Sequence, residues 1–308
     1  MRRYRFIQLD VFTHTPFGGN QLAVFPEADG LSDAAMQAIA REMNFSETTF
    51  VLPASDAPAL RRVRIFTPST ELPMAGHPTV GTTFALAHEG VIRAADPSPI
   101  YLQLGIGTLP IDLLFAGDAL SFVWMHQPAP VFQPWQGDRA QLAAALGLAL
   151  DDLDATLPIE HGSAGVSFVY IPLRSLAALG RARPGADLTA ALAATSGNIG
   201  AHLFTLDTPP GTLPGGADAR ARMFAPGMGV AEDPATGSAA GPFGVYLVRH
   251  ARATPDASGA ARIRLEQGVE MERPSVITIA VQMDGETVRD VRVGGEAVVV
   301  AEGELFVP

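Results

Sequence analysis

Three side chains of this 308-residue chain, Glu47, His77 and Asp233, could hold or move a proton, and two of them sit in a motif that the chain uses twice. Arg64-Ile65-Phe66-Thr67-Pro68 followed by Glu71-Leu72-Pro73-Met74-Ala75-Gly76-His77 recurs as Arg222-Met223-Phe224-Ala225-Pro226 followed by Glu232-Asp233-Pro234-Ala235-Thr236-Gly237-Ser238. A duplicated unit implies two similar lobes. Each copy runs from an apolar strand through a Pro/Gly turn into a stretch with the composition of a buried helix, Thr79 to Ala87 and Ala239 to Val248. Two helix N-termini, one per lobe, then offer backbone N–H groups and partial positive charge to an anion. Chemistry is expected where the copies differ, at His77 against Ser238 and at Leu72 against Asp233.

Each of the three has a plainer reading. Asp233 before Pro234 could be an N-cap, although the other copy closes the same turn with Leu72. His77 before Pro78 could belong to a turn; at the mouth of a helix its ring is held neutral, because the N-terminus disfavours an imidazolium. Glu47, between an amphipathic segment and an apolar one, could be a solvated loop residue. Drawn into an apolar cleft instead, it becomes a usable acid/base.

The elements that must position these groups are legible from periodicity. Ile7, Leu9 and Val11 alternate as in a half-buried strand from Phe6 to Phe12, and the loop Thr13 to Asn20 turns the chain into a strand from Leu22 to Phe25. Ser32 is placed to cap a helix whose inner face is Met36, Ile39, Ala40 and Met43 and whose stop is Asn44. Strands follow from Thr48 to Leu52, from Arg62 to Phe66, and three times between Tyr101 and Trp124. Residues Gln127 to Pro134 have the composition of a linker. The second lobe is expected to repeat the order. It has a strand from Val166 to Pro172, helices at Leu173 to Leu179 and Leu188 to Thr195, and strands at His202 to Leu206 and Arg220 to Phe224. A Pro/Gly surface loop from Thr208 to Gly216 interrupts it, and four closing strands lie between Ile263 and Phe306. This mixture indicates an α+β fold, with lobes at 1–126 and 127–298 and a final strand, about 299–308, returning to the first lobe.

Composition narrows the chemistry. The chain has no cysteine, which rules out disulfides, thiolate metal sites and thiol nucleophiles. A net charge of −11 without a basic run argues against nucleic acid as a partner. The seven histidines show no metal-binding spacing, and neither Gly18-Gly19-Asn20-Gln21 nor Gly105-Ile106-Gly107 forms a nucleotide-binding fingerprint, so neither metal nor cofactor is expected. Gly165-Val166-Ser167-Phe168 is not a hydrolase elbow. The start of the chain lacks the apolar core of a signal peptide and the apolar runs are too short to span a bilayer, so a cytoplasmic protein without a membrane partner is expected.

The ordered set of motifs resembles the PhzF family of phenazine biosynthesis-like proteins, which has the two-lobed fold of diaminopimelate epimerase. The resemblance is carried by Asp10-Val11-Phe12 with Phe17-Gly18-Gly19-Asn20, by Ser46-Glu47-Thr48-Thr49-Phe50, by Ala75-Gly76-His77-Pro78, and by Glu232 through Ala239. It extends to Glu266-Gln267-Gly268 with Arg273-Pro274-Ser275 and to Val291-Arg292-Val293-Gly294-Gly295. Gln21 stands where the family's Gly-Asn motif continues with Pro, and Glu272 where a small residue is usual. The resemblance implies a mostly antiparallel sheet wrapped around a central helix in each lobe. It also implies that Glu47 moves a proton between two carbons, that His77 and Asp233 assist across the cleft, and that Gly76, Gly237 and Ser238 hold a substrate carboxylate. The expectation is a cofactor-independent isomerase of a small carboxylate-bearing metabolite, working as a homodimer. A two-base racemase or epimerase using Glu47 and Asp233 is one alternative, and a non-catalytic small-molecule binder on the same scaffold is another.

Overall fold

The first two strands set the pattern for the first half of the molecule. In the computed structural model, which describes residues 1–192, 199–208 and 216–307, β1 (Arg2–Val11) pairs antiparallel with β2 (Asn20–Phe25) and buries Ile7, Leu9 and Val11. The loop between them needs left-handed backbone at Phe12, Phe17 and Gly19. At Gly19 a Cβ would sit 2.4 Å from the Val11 carbonyl oxygen, so only glycine fits. Helix α1 (Asp33–Met43) forms as its sequence predicts: the Ser32 hydroxyl accepts from the Ala35 N–H, Asn44 closes the helix in the left-handed region, and Met36, Ile39 and Ala40 face the core.

Two compact units result, one comprising Met1–Gln127 with Arg292–Pro308 and the other Pro128–Val291. In the first, β3 (Glu47–Leu52) joins β2 in parallel, and β4 (Arg61–Phe66) pairs antiparallel with β3. The short β5 (Glu71–Leu72) folds back on β4 and leads into α2 (Gly76–His88). Then β6 (Ile100–Leu104) lies parallel to β4, and β7 (Gly107–Ala116) and β8 (Ala119–Gln127) continue as antiparallel neighbours. The sheet wraps α2, which packs on β1, β2, β3 and β8. The threonines of this buried helix are satisfied locally: Thr79 donates to the Ala75 carbonyl, Thr83 to the Thr79 carbonyl, and Thr82 shares a hydrogen bond with Thr49.

The second unit begins with a correction. The proline-rich stretch read as a linker contains β9 (Val131–Pro134), which pairs antiparallel with β10 (Glu160–Ser163). Proline is tolerated there because it ends the strand. Between them lies α3 (Arg139–Ala145), capped by Asp138. Next come β11 (Ser167–Pro172), α4 (Leu176–Arg181), α5 (Leu188–Leu192) and β12 (Gly200–Thr205). The expected continuation of α5 to Thr195 and most of the Pro/Gly loop, residues 209–215, lie outside the described residues. The unit continues with β13 (Ala219–Ala225), β14 (Val230–Asp233), α6 (Gly237–Arg249), β15 (Ala260–Gln267) and β16 (Ser275–Asp284). After it, β17 (Thr287–Gly295) carries the chain back to the first unit, where β18 (Ala297–Val307) pairs with β1.

The two units repeat one another strand for strand. β10–β11 antiparallel, β11–β12 parallel, β12–β13 antiparallel and β13–β15 parallel reproduce β1–β2, β2–β3, β3–β4 and β4–β6. Helix α6 packs on β10, β11, β15 and β16 as α2 packs within its own sheet. Each copy of the repeated motif also carries the same brace. Arg64 grips Glu71 through two hydrogen bonds and lies over the Phe66 ring; Arg222 grips Glu232 the same way and lies over Phe224. The recurring Arg, Phe and Glu are therefore structural. The molecule is α+β, with two pseudo-symmetric lobes each built of a mostly antiparallel sheet around a central helix.

Candidate active site

In the first unit two chain segments converge on His77, the second residue of α2. Glu47 opens β3, beside Leu22 of β2, with its carboxylate oxygen Oε2 3.5 Å from His77 Nε2. Asn20 opens β2, and its amide nitrogen lies 3.1 Å from His77 Nδ1. The Ser46 hydroxyl, adjacent to Glu47, reaches the Asn20 amide oxygen at 3.5 Å. Glu47 is thus a largely buried carboxylate, 14% exposed, and not a solvated loop residue. The imidazole is buried too, which drives its pKa down to about 3, while a backbone hydrogen bond at Gln21 acts weakly the other way. His77 is consequently neutral at pH 7. The His77–Glu47 contact is between a neutral ring and a carboxyl group and is not an ion pair.

In the second unit Asp233 ends β14 and is buried. It does not cap α6: the N-cap residue is Thr236, whose hydroxyl instead donates to Asp233 Oδ2 at 2.6 Å. Gln267, at the end of β15, donates to the Asp233 carbonyl at 2.7 Å and to Thr236 Oγ1 at 3.0 Å, and its Oε1 accepts from the Thr236 N–H. Gly237 and Ser238 form the first turn of α6, as Gly76 and His77 form that of α2. In neither helix does the N-cap side chain accept a hydrogen bond from the first turn, and each first turn carries the positive end of a helix dipole. This is the arrangement a substrate anion can use.

Strand register superposes the copies and shows which positions have diverged. His77, Asn20 and Glu47 correspond to Ser238, Val166 and Gly200; Asp233, Thr236 and Gln267 correspond to Leu72, Ala75 and Leu104. The frame around them is unchanged. Gly105 backs onto Pro73 and Gly268 onto Pro234, so close that a Cβ would lie 2.8 Å and 2.6 Å from backbone atoms of those prolines. Each unit therefore carries polar side chains at a different set of positions, where the other has apolar or small ones. Asn20, Thr236 and Gln267 were not singled out from sequence. Thr236 against Ala75 was visible in the motif, and Gln267 against Leu104 would have emerged from carrying the repeat one strand further.

Among the described residues no group of three or more His, Asp or Glu side chains could hold a metal ion, and no helix is long and apolar enough to cross a membrane.

Residues 9–303 match the phenazine biosynthesis-like protein family, PhzC-PhzF. The chain is 39% identical over 308 residues to the trans-2,3-dihydro-3-hydroxyanthranilate isomerase of Pseudomonas aeruginosa, covering 98% of this chain and 99% of that one. It is 34% identical to an uncharacterized isomerase of Clostridium acetobutylicum over 99% of both chains. A Bacillus anthracis phenazine biosynthesis protein of the PhzF family is similar in structure, with a TM-score of 0.88 at 32% identity over the whole of both chains. A hydroxyproline epimerase from Agrobacterium vitis, at 13% identity, a TM-score of 0.66 and coverage of 99% and 92%, shares the fold. The chain belongs to the phenazine biosynthesis-like family and is an isomerase.

Proposed function

We propose that the enzyme isomerises a small unsaturated carboxylate by taking a proton from one carbon and returning it to another, without a cofactor, and that Glu47 carries that proton. The observation that bears most weight is the largely buried Glu47 carboxyl set against a buried, neutral His77. A carboxyl group that faces a neutral ring there can act as base and as acid within one turnover. In this reading His77 and Asp233 assist, each through hydrogen bonds to the substrate. Gly76, Gly237 and Ser238 hold the substrate carboxylate through backbone amides and a hydroxyl.

The relative from Pseudomonas aeruginosa acts on trans-2,3-dihydro-3-hydroxyanthranilate, so that compound is the first probe. In deuterium oxide the native protein is expected to convert it and to place deuterium at the carbon that gains the proton. Glu47→Gln keeps the shape but cannot exchange a proton with carbon; its turnover should drop by about 10²–10⁴, with affinity nearly kept. Native turnover by Glu47→Gln would overturn the assignment. A native protein that neither converts nor exchanges the probe would overturn the substrate.

A further inference from the structure

The hydrogen bonds around Asp233 have a direction that can be worked out atom by atom. A backbone carbonyl only accepts and a backbone N–H only donates. Gln267 faces the Asp233 carbonyl at 2.7 Å with one end of its amide and the Thr236 N–H at 3.2 Å with the other, so the first end is the NH2 and the second the oxygen. The same NH2 lies 3.0 Å from Thr236 Oγ1 and must donate to it. The hydroxyl, already accepting there, directs its own proton to Asp233 Oδ2 at 2.6 Å. Two donors in series thus end on the carboxylate. The network is buried, with Gln267 at 0% exposure.

The other lobe shows that the turn does not need this network. Leu72, Ala75 and Leu104 occupy the three corresponding positions and close the same turn around the same Pro and Gly. All three positions are polar in one lobe and apolar in the other.

We infer that Thr236 and Gln267 are positioning residues that fix Asp233 as a hydrogen-bond acceptor, so that it holds a donor group of the substrate, an amino or hydroxyl group near the carboxylate, and delivers no proton to carbon. The inference rests on the isomerase reading above for its substrate and deepens it: one carboxyl group, Glu47, moves the proton, and the other is a fixed anchor. It also sets this chain against a two-base mechanism, which needs Asp233 to supply a proton in one direction. The other carboxylates of the neighbouring strands, Glu232 and Glu266, are each taken up by an arginine, Arg222 and Arg220.

The test follows Asp233 directly in the full-length protein, with aspartate labelled with carbon-13 at the side-chain carboxyl and the signal assigned by its absence from Asp233→Asn. Thr236→Val should raise the pH midpoint of that signal by about one pH unit, a tenfold gain in proton affinity, because a charge-assisted donor has been lost. Thr236→Ser should restore the native midpoint. Should the valine variant not fold, Thr236→Ala, the residue the other lobe carries, serves in its place. An unchanged midpoint in either apolar variant overturns the proposal, whatever the enzyme's substrate proves to be. With the anthranilate probe, Thr236→Val should raise KM about tenfold while kcat stays within about threefold. A loss confined to kcat would mean that Asp233 takes part in the proton transfer. Failure of the native protein to act on the probe would count against the substrate assignment and leave the carboxyl titration to decide the relay.

Discussion

His77 Nε2 stands 3.5 Å from Glu47 Oε2, with the ring, in the first turn of α2, neutral and buried. A histidine beside a carboxylate is commonly read as a charged pair. Here burial removes the imidazole's proton throughout the physiological range, so the ring meets the carboxyl group as an uncharged dipole. Rate should therefore not depend on imidazole protonation.

The pH profile tests this. An exposed histidine would switch near pH 6.5, whereas His77 takes up its proton only near pH 3. The kcat profile of the native enzyme is expected to show no inflection near 6.5 that His77→Gln removes. An inflection there, abolished by that substitution, would mean that the ring titrates and works as an imidazolium.

Stability should report the same burial in the other unit. His202 on β12 is fully buried between Tyr170 and Phe243; neither ring nitrogen has a hydrogen-bond partner among the described residues, and burial lowers its pKa to about 3. The unfolded chain binds a proton at His202 below about pH 6.5 and the folded one does not until about pH 3. The stabilising contribution is thus fully present above 6.5 and is lost as pH falls from 6.5 towards 3, at about 1.4 kcal/mol per pH unit. His202→Phe should reduce the slope of unfolding free energy against pH, between 6 and 5, by about one proton. An unchanged slope in urea titrations would show that His202 is already charged in the folded state.

The duplicated brace offers a comparison within one molecule. Arg222 is 4% exposed and also donates to the Leu179 and Ala182 carbonyls, whereas Glu71, the partner of Arg64, is 42% exposed. Breaking a buried pair strands a charge at a cost of about 3 kcal/mol, while a solvated pair contributes about 1 kcal/mol or less. Glu232→Gln should consequently lower Tm well beyond Glu71→Gln. Equal losses would show that solvent reaches both braces alike.

The repeat told more about this molecule than any single motif. Strand alternation at Ile7, Leu9 and Val11 and the Ser32 and Asn44 caps follow from local rules, and the structure reproduces them. The proline-rich run Gln127 to Pro134 misled because composition reports backbone preference but not a partner: β10 supplies the ladder that makes Val131–Pro134 a strand. Glu47, His77 and Asp233 stood out because they carry charge or a titratable ring. Asn20 and Gln267 did not, because an amide gains meaning only from what lies within hydrogen-bond reach of it, and their partners are 57 and 31 or more residues away in sequence.

Ser238 offers the sharpest test of the helix starts. It occupies the place that His77 takes in the other copy, in the first turn of α6, and the N-cap of that helix is Thr236. Its hydroxyl is therefore not needed to begin the helix, and alanine is a good helix former, so Ser238→Ala should leave Tm within about 2 °C of native. If the hydroxyl holds the substrate carboxylate, its loss removes a hydrogen bond to a charged group, worth about 1.5–3 kcal/mol, and KM should rise about tenfold or more. The carboxylate bears its charge before and after the proton moves, so the interaction is present in ground and transition states alike and kcat should change little. A simple carboxylate such as benzoate should raise the Tm of the native protein and raise that of Ser238→Ala less at the same concentration. Equal protection of the two proteins, together with an unchanged KM, would remove Ser238 from the anion site and leave the carboxylate to the backbone amides alone.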